Sequence, residues 1–571
     1  MTPDTPTTTE LPQTSATSFF RKTSTHYLLL IIVGALLFIP FLGSAHLYDW
    51  DELNFAEASR EMLATGNFMR VTIDYQPFWE KPPLFFWLQA ASMKLFGVNE
   101  FSARFVNAII GIITMLVVYT IGRRRFDATF GLTWALAFAC SFLPHVFFKS
   151  GIIDPTFNLF IFLGFTFASS VLQRSDRAGR LRLAALAGLF IGLAILSKGP
   201  VALIVFGLTF AVYWATTRFK PLFSIAEIAL FTVTMVGVSA VFYGIETALH
   251  GPWFVTEFLR YQVRLLRTGD AGHGRPFYFH FLILLFGCFP ASFFAIRSFK
   301  RDTHYTEPQQ LFNRLVKTLF WVTLILFSIV KTKTVLYSSL CWYPITYLGA
   351  LHARKLITGE IQWNRWLQRS FVAFTVLVGS AIAAFPLLLK HKEIIMPLIK
   401  DKFAVACMQK PVVWSGWESL IGISFLAISL VSFFLMARKR STGGLIALAA
   451  ASVLCVQLTL LVINPKIEQY TQSDPVAFYK LHSGKDEYVR SLFKSYADLF
   501  YGRKRLDDNP MSHDFNWLLK GPIDKPVFFV GRIQQDKKYG KPEYGLTLIE
   551  KKYGFVYYRR DPEPVSAFAL R

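Results

Sequence analysis

The residues of this chain best suited to chemistry fall in two short stretches about thirty positions apart, Tyr48-Asp-Trp-Asp-Glu52 and Phe78-Trp-Glu-Lys-Pro-Pro83. Carboxylates at Asp51, Glu52 and Glu80 can take up or balance a proton, and the Lys81 ammonium can hold an anion. Charges set among aromatics beside an apolar segment are costly to remove from water, so such a cluster marks a candidate functional site. Asp154-Pro155, Ser197-Lys-Gly-Pro200 and Lys331-Thr-Lys-Thr-Val-Leu-Tyr337 place further charged and polar groups at the ends of apolar runs.

The elements that position these groups are membrane helices. A chain of 571 residues that is 53% hydrophobic and 17% charged, with mean hydropathy +0.39, is not a soluble protein. Thirteen runs approach the ~20 residues that cross a bilayer: near 27–43, 103–121, 129–148, 152–172, 183–197, 200–215, 225–244, 278–296, 315–330, 338–353, 371–389, 416–437 and 443–463. Basic pairs and clusters (Arg21-Lys22, Arg123 to Arg125, Arg174 to Arg182, Arg218 with Lys220, Arg297 to Arg301, Arg354-Lys355 and Arg438 to Arg440) occupy alternate loops. The excess of Lys and Arg in short loops identifies these as cytoplasmic. Loops 44–102 and 245–277 and the C-terminal stretch 464–571 then face outward.

Residues 1–26 read as a disordered cytoplasmic N-terminus without a cleavable signal, 27–463 as the membrane domain, and 464–571 as an outward α/β domain. The formal charge of +23 is topology and anionic-lipid contact, not nucleic-acid binding. Among the five cysteines no C-x-x-C or zinc spacing occurs, and no Walker loop or dinucleotide fingerprint is present. The fold expected is a polytopic α-helical membrane protein of about thirteen spans, with outward amphipathic surface helices and a small C-terminal α/β domain.

Within loop 44–102, Asp51, Phe55, Ser59 and Met62 recur at helical spacing, so a surface helix begins at Asp51, with a second from Pro82-Pro83 to Lys94. Asp51 reads either as the cap of the first helix or as a base. Asp154 has the same two readings. Lys198 either complements a helix dipole or binds an anion, and Lys81 either pairs with Glu80 or contacts phosphate. Tyr337 reads as an interfacial tyrosine or as a hydrogen-bond donor to a phosphate. Loop 245–277, with Arg260, Arg264, Arg267 and Arg275 ahead of or among turn-forming residues, is either an ordinary solvated loop or a cationic lid.

The motifs Asp49-Trp-Asp-Glu52, Ala56-Glu-Ala-Ser-Arg-Glu-Met-Leu-Ala-Thr-Gly66 and Phe78-Trp-Glu-Lys-Pro-Pro-Leu84 resemble the bacterial GT-C glycosyltransferases of the aminoarabinose transferase and protein mannosyltransferase superfamily. The likeness continues through Asp154-Pro155, Ser197-Lys-Gly-Pro200, Gly272-His-Gly-Arg-Pro-Phe-Tyr278 and Lys331 to Tyr337. It implies inverting transfer of one sugar from undecaprenyl phosphate to lipid A, another glycolipid or a protein at the outer face of a bacterial inner membrane, by a monomer in contact with membrane lipids. It also implies Asp51, Asp154 and Glu52 as catalytic carboxylates. Donor-phosphate contacts would come from Lys81, Lys198, Arg264, Arg267, Tyr337 and Lys331 or Lys333. Some relatives hold a divalent metal through a Glu of the Glu-Lys-Pro-Pro motif and a His of the later loop, here Glu80 and His273 or His280. The sequence departs from that pattern at Glu257-Phe258, where the family pattern has Glu-His. A transporter or flippase of a lipid-linked sugar is the alternative, although no internal repeat with broken helices is evident.

In the last 108 residues, strand-like runs occur at 527–530 and 546–558, with a helix around 474–479. Residues 495–501 read as strand or short helix. This domain covers the cavity or the acceptor, or simply packs on the loops.

Overall fold

The computed structural model describes residues 23–267, 274–300 and 305–562, and the N-terminal residues 1–22 lie outside them. Every one of the thirteen expected runs contains a helix. Seven helices are long and apolar enough to cross a membrane: Glu100–Arg125, Arg177–Lys198, Ile225–His250, Glu307–Ile329, Arg365–Lys390, Trp417–Ala437 and Ser441–Thr471. An eighth crossing is counted if Phe279–Gly287 and Ala291–Ser298 form one span. This pair is bent by 112° where run 278–296 had been expected to be continuous. Pro290, which cannot donate a backbone hydrogen bond, stands in the break. Shorter apolar helices, including Thr23–Phe38, Ala128–Cys140 and Val201–Thr216, pack among the long ones.

Two helices follow the first apolar one, and the first of them is not the amphipathic surface helix expected: residues Glu52 to Met62 are all buried, its polar side chains partnered inside, as in the Glu57–Arg60 ion pair. Asp51–Thr65 ends at Gly66 in the left-handed conformation, and Leu84–Phe96 begins just after the two prolines. Between them lies a two-stranded hairpin, β1 (Thr72–Ile73) and β2 (Gln76–Pro77). The helices cross-link through Gln89, whose side chain accepts from Ser59 Oγ at 2.8 Å and donates to the Ala103 carbonyl at 2.7 Å. Helix Glu100–Arg125 then starts from a capping box between Asn99 and Ser102.

Towards the C-terminus a four-stranded sheet has the order β3-β4-β6-β5, with β3 at Tyr488–Ser491, β4 at Val527–Arg532, β5 at Thr547–Lys552 and β6 at Phe555–Arg560. The 546–558 run is therefore the two strands of a hairpin, turned at Tyr553 and Gly554, which both have positive φ. Strand β3 pairs parallel with β4. Residues 497–502 form a short helix, which settles the open choice there, and the expected helix near 474 runs from Ser473 to His482.

Candidate active site

Adjacent positions on a helix point about 100° apart, and at the start of helix Asp51–Thr65 this separates two carboxylates. Asp51 and Phe55, one turn later, face a cavity of about 590 Å³. Glu52 faces the other way, into a buried brace. Its Oε1 accepts from Arg104 Nε at 2.9 Å and from the Gly151 backbone N–H at 2.6 Å; its Oε2 accepts from Arg104 Nη2 at 2.8 Å and from the Tyr48 N–H at 3.0 Å. Arg104 also donates to the carbonyls of Leu42, Ala45 and His46. Burial alone would raise the Glu52 carboxyl, but the Arg104 guanidinium and these backbone donors hold it below its ordinary value. Glu52 does not line the cavity with Asp51; it braces the loop that carries Asp51.

The cavity draws its wall from separate parts of the chain. Asp154, Phe157, Asn158 and Ile161 line it at helical spacing from one helix, and Val201, Ile204 and Val205 do so from another. Asp51, Glu80, Lys81, Asp154, Lys198, Arg264 and Tyr337, all expected site residues, meet there. Lys198 Nζ donates to Asp154 Oδ1 at 2.5 Å, and lies 5.7 Å from the ring centroid of Tyr337. Lys198 is the last residue of its helix, so it also complements the dipole. The following Gly199 has φ +101°, and a Cβ there would collide with the Phe258 ring. A glycine is thus required for the turn that points Lys198 at Asp154.

Neither aspartate acts as a cap. Each is the first residue of its helix, and neither N-terminus carries a side-chain capping bond. Lys81 has no carboxylate within ion-pair distance among the described residues, so it does not pair with Glu80. Its Nζ sits 5.3 Å from the ring centroid of Tyr261. Burial lowers the Lys81 ammonium against the opposing pull of Glu80 and Asp51. Burial raises the Asp51 carboxyl, with Lys81 and Lys198 opposing. A carboxylate raised in this way is a stronger base, beside a cation that lacks a counter-ion.

The remaining expected phosphate ligands separate. Residues 330–336 alternate: Val330, Thr332, Thr334 and Leu336 line the cavity, so Lys331 and Lys333 point elsewhere. Lys331 is exposed, and Lys333 is buried with its Nζ donating to the Val330 carbonyl at 2.7 Å. Arg264 lies at the cavity with its guanidinium 5.2 Å from the Tyr261 ring centroid. Arg267 closes helix Trp253–Arg267, and its side chain and all of His273 lie outside the described residues. His280 is buried with its Nδ1 3.0 Å from Ser338 Oγ, and does not line the cavity. No group of three His, Cys, Asp or Glu side chains among the described residues could hold a metal ion. Of the expected metal pair, Glu80 lines the cavity and His273 lies outside the described residues.

The sequence did not indicate Trp50, Tyr261, Asn158 or Lys494 as cavity residues. Helical spacing from Asp154 could have found Asn158. Nothing local could have found Lys494, which comes from the C-terminal region.

The fold is shared with a solved protein. The crystal structure of ArnT from Cupriavidus metallidurans bound to undecaprenyl phosphate superposes with TM-score 0.72 over 94% of this chain and 98% of that one, at 18% identity. The chain has the fold of ArnT. Residues 80–243 match the dolichyl-phosphate-mannose-protein mannosyltransferase family. Among curated relatives, the undecaprenyl phosphate-alpha-4-amino-4-deoxy-L-arabinose arabinosyl transferase of Enterobacter sp. (strain 638) is 26% identical over 65% of this chain and 68% of its own length. The protein of that name from Photorhabdus laumondii is 22% identical over 93% and 90%.

Proposed function

We propose that this protein transfers one sugar from an undecaprenyl-phosphate donor to a lipid A, other glycolipid or protein acceptor, at the outer face of a bacterial inner membrane. The observation that carries this reading is one cavity in which Lys81, Lys198, Asp51 and Asp154 stand above an apolar wall from helices Asp154–Val171 and Val201–Thr216. Such a wall suits a polyprenyl chain, and the cations suit its phosphate. The names and the solved ligand of the ArnT relatives supply the donor class.

In the transfer, an acceptor oxygen forms a bond to the anomeric carbon on the face opposite the donor phosphate. The carbon–oxygen bond to that phosphate breaks, and its electron pair leaves on undecaprenyl phosphate, inverting the centre. Negative charge grows on the departing phosphate, where Lys81 stabilises it more in the transition state than in the ground state. Lys198, neutralised in part by Asp154, orients the same group, and Tyr337 lies beside it. Asp51 takes the proton of a hydroxyl acceptor; against an already ionised phosphate acceptor it orients and balances charge. The basic loops support a cytoplasmic N-terminus and a periplasmic C-terminal domain.

The test is incubation of purified protein with undecaprenyl-phosphate sugars and an envelope lipid and protein extract, followed by mass spectrometry. A sugar-mass adduct with matching donor loss, absent in Asp51→Asn, is expected. Donor left intact, together with donor translocation in liposomes, would replace this reading with a flippase.

A further inference from the structure

Asp51 and Asp154 reach the cavity from different helices, so the space between them has to be set elsewhere. Asp154 follows a break: helix Phe142–Phe147 ends, residues 148–153 run without a helix, and helix Asp154–Val171 begins. Such a break leaves backbone carbonyls without helical partners in apolar surroundings, where each needs a donor. One side chain serves two of them. Asn107, fully buried on helix Glu100–Arg125, donates from Nδ2 to the Ser150 carbonyl at 2.7 Å and to the Ile152 carbonyl at 2.6 Å. Its Oδ1 accepts from Thr156 Oγ1 at 3.4 Å. These contacts bracket Asp154 on both sides.

The brace of Asp51 grips the same stretch from its other end. The Ser150 carbonyl and the Gly151 N–H belong to one peptide group; Asn107 holds its oxygen, and Glu52 Oε1 accepts from its nitrogen at 2.6 Å. A Cβ on Gly151 would stand 3.0 Å from the Ala103 carbonyl oxygen, so the linker lies tight against the helix that carries Asn107. Arg104, the partner of Glu52, comes three residues before Asn107 and shares its face of that helix. Helix Glu100–Arg125 thus presents two neighbouring side chains, one reaching Asp51 through Glu52 and the other reaching Asp154 through the linker. Neither lines the cavity.

We infer that Asn107 is a positioning residue for the transfer: by holding the linker 150–152 it fixes the place of Asp154, and with it the Asp154–Lys198 pair, relative to Asp51. This rests on the transfer reading above and adds to it a residue outside the cavity.

The experiment compares Asn107→Ala and the milder Asn107→Ser with wild type in the full chain, alone and combined with Asp154→Asn or Lys81→Arg. Asn107→Ser should lower kcat about tenfold per folded chain, with the donor KM within about twofold. The loss should shrink below about twofold in the Asp154→Asn background and persist in Lys81→Arg, because Asn107 acts through Asp154. Gly151→Ala, which crowds the linker against Ala103 without touching Asn107, should reproduce the fall in kcat. In hydrogen exchange without donor, peptides covering 150–154 should exchange faster in the Asn107 variants. A lowered thermal midpoint with kcat per folded chain unchanged, an equal loss in the Asp154→Asn background, or unchanged exchange at 150–154 would each overturn the inference. Exchange is read without donor, so faster exchange in the variants of a chain that transfers no sugar would defeat the proposed function while leaving the hold of Asn107 on the linker standing.

Discussion

Lys198 and Lys81 face the same cavity, but only Lys198 is matched, its Nζ lying 2.5 Å from Asp154 Oδ1. A buried cation with a partner is neutral to its surroundings, and one without a partner attracts an anion. In the proposed transfer, this asymmetry gives Lys81 the larger share of phosphate stabilisation. Lys81→Ala should lower kcat/KM about a hundredfold or more without loss of folded protein. Asp154→Ala should lower both activity and the thermal midpoint, because it strands the Lys198 charge. Equal thermal losses in the two variants would contradict the asymmetry, and steady-state kinetics with thermal unfolding in detergent reads both.

Glu52 sits beside Asp51 in the sequence, yet its variant should fail differently. Both its oxygens serve Arg104 and backbone donors, and each residue is only 6% exposed. Glu52→Ala leaves a buried guanidinium without its counter-ion, a loss of about 3–5 kcal/mol. Reduced folded yield and an early thermal transition are expected, with activity falling in proportion to the folded fraction. A well-folded but inactive Glu52→Ala would return Glu52 to the catalytic group.

How much of this was legible in the sequence depends on whether the information was local. Asp154 and Lys198 were singled out because each charge interrupts or ends an apolar run, and Asp51 and Lys81 because each stands among aromatics beside one, where a charge has to be compensated. The helices followed from hydropathy for the same reason. The assignments of Glu52, Lys331 and Lys333 required knowing which way each side chain points. For Glu52 that depends on Arg104, 52 positions on; for the two lysines it depends on an extended segment whose even-numbered residues face the cavity. The bend at Pro290 and the arrival of Lys494 at Trp50 are tertiary events, and no window of neighbouring residues records them.

Stability should fall as pH rises through the range set by Glu61. This carboxyl, fully buried on helix Asp51–Thr65, is pushed up to about 8 by burial and then by Glu57, although it accepts from Thr72 Oγ1 at 2.6 Å and from the Tyr75 N–H. The folded state therefore binds a proton that the unfolded state, with an ordinary carboxyl near 4.5, releases earlier. The stabilising contribution is complete below about 4.5 and is lost as pH climbs through 8. Glu61→Gln, which cannot ionise, should flatten the thermal midpoint between pH 5 and about 8.5 relative to wild type. An unchanged slope would show that other groups set it.

Asp74 joins the loop that carries Asp51 and Lys81 to the C-terminal region. It is 8% exposed at the tip of the β1–β2 hairpin, accepts from Arg490 Nη1 at 2.7 Å on strand β3, and pairs with Lys504. The neighbouring Tyr75 hydroxyl adds a bond to the Lys504 carbonyl at 2.9 Å. Asp74→Asn keeps the shape but removes the charge that two cations share, at a cost of about 1–3 kcal/mol. The clamp lies away from the cavity, so donor use should change little. Lys494, whose Nζ lies 4.0 Å from the ring centroid of Trp50, is held four residues beyond Arg490, and loosening the clamp should loosen its place there. Faster proteolysis between residues 483 and 487 at an unchanged donor KM is the expected result. If proteolysis stays at the wild-type rate, the Asp49–Ser495 and Trp50–Tyr496 contacts alone are sufficient to hold the C-terminal region in place.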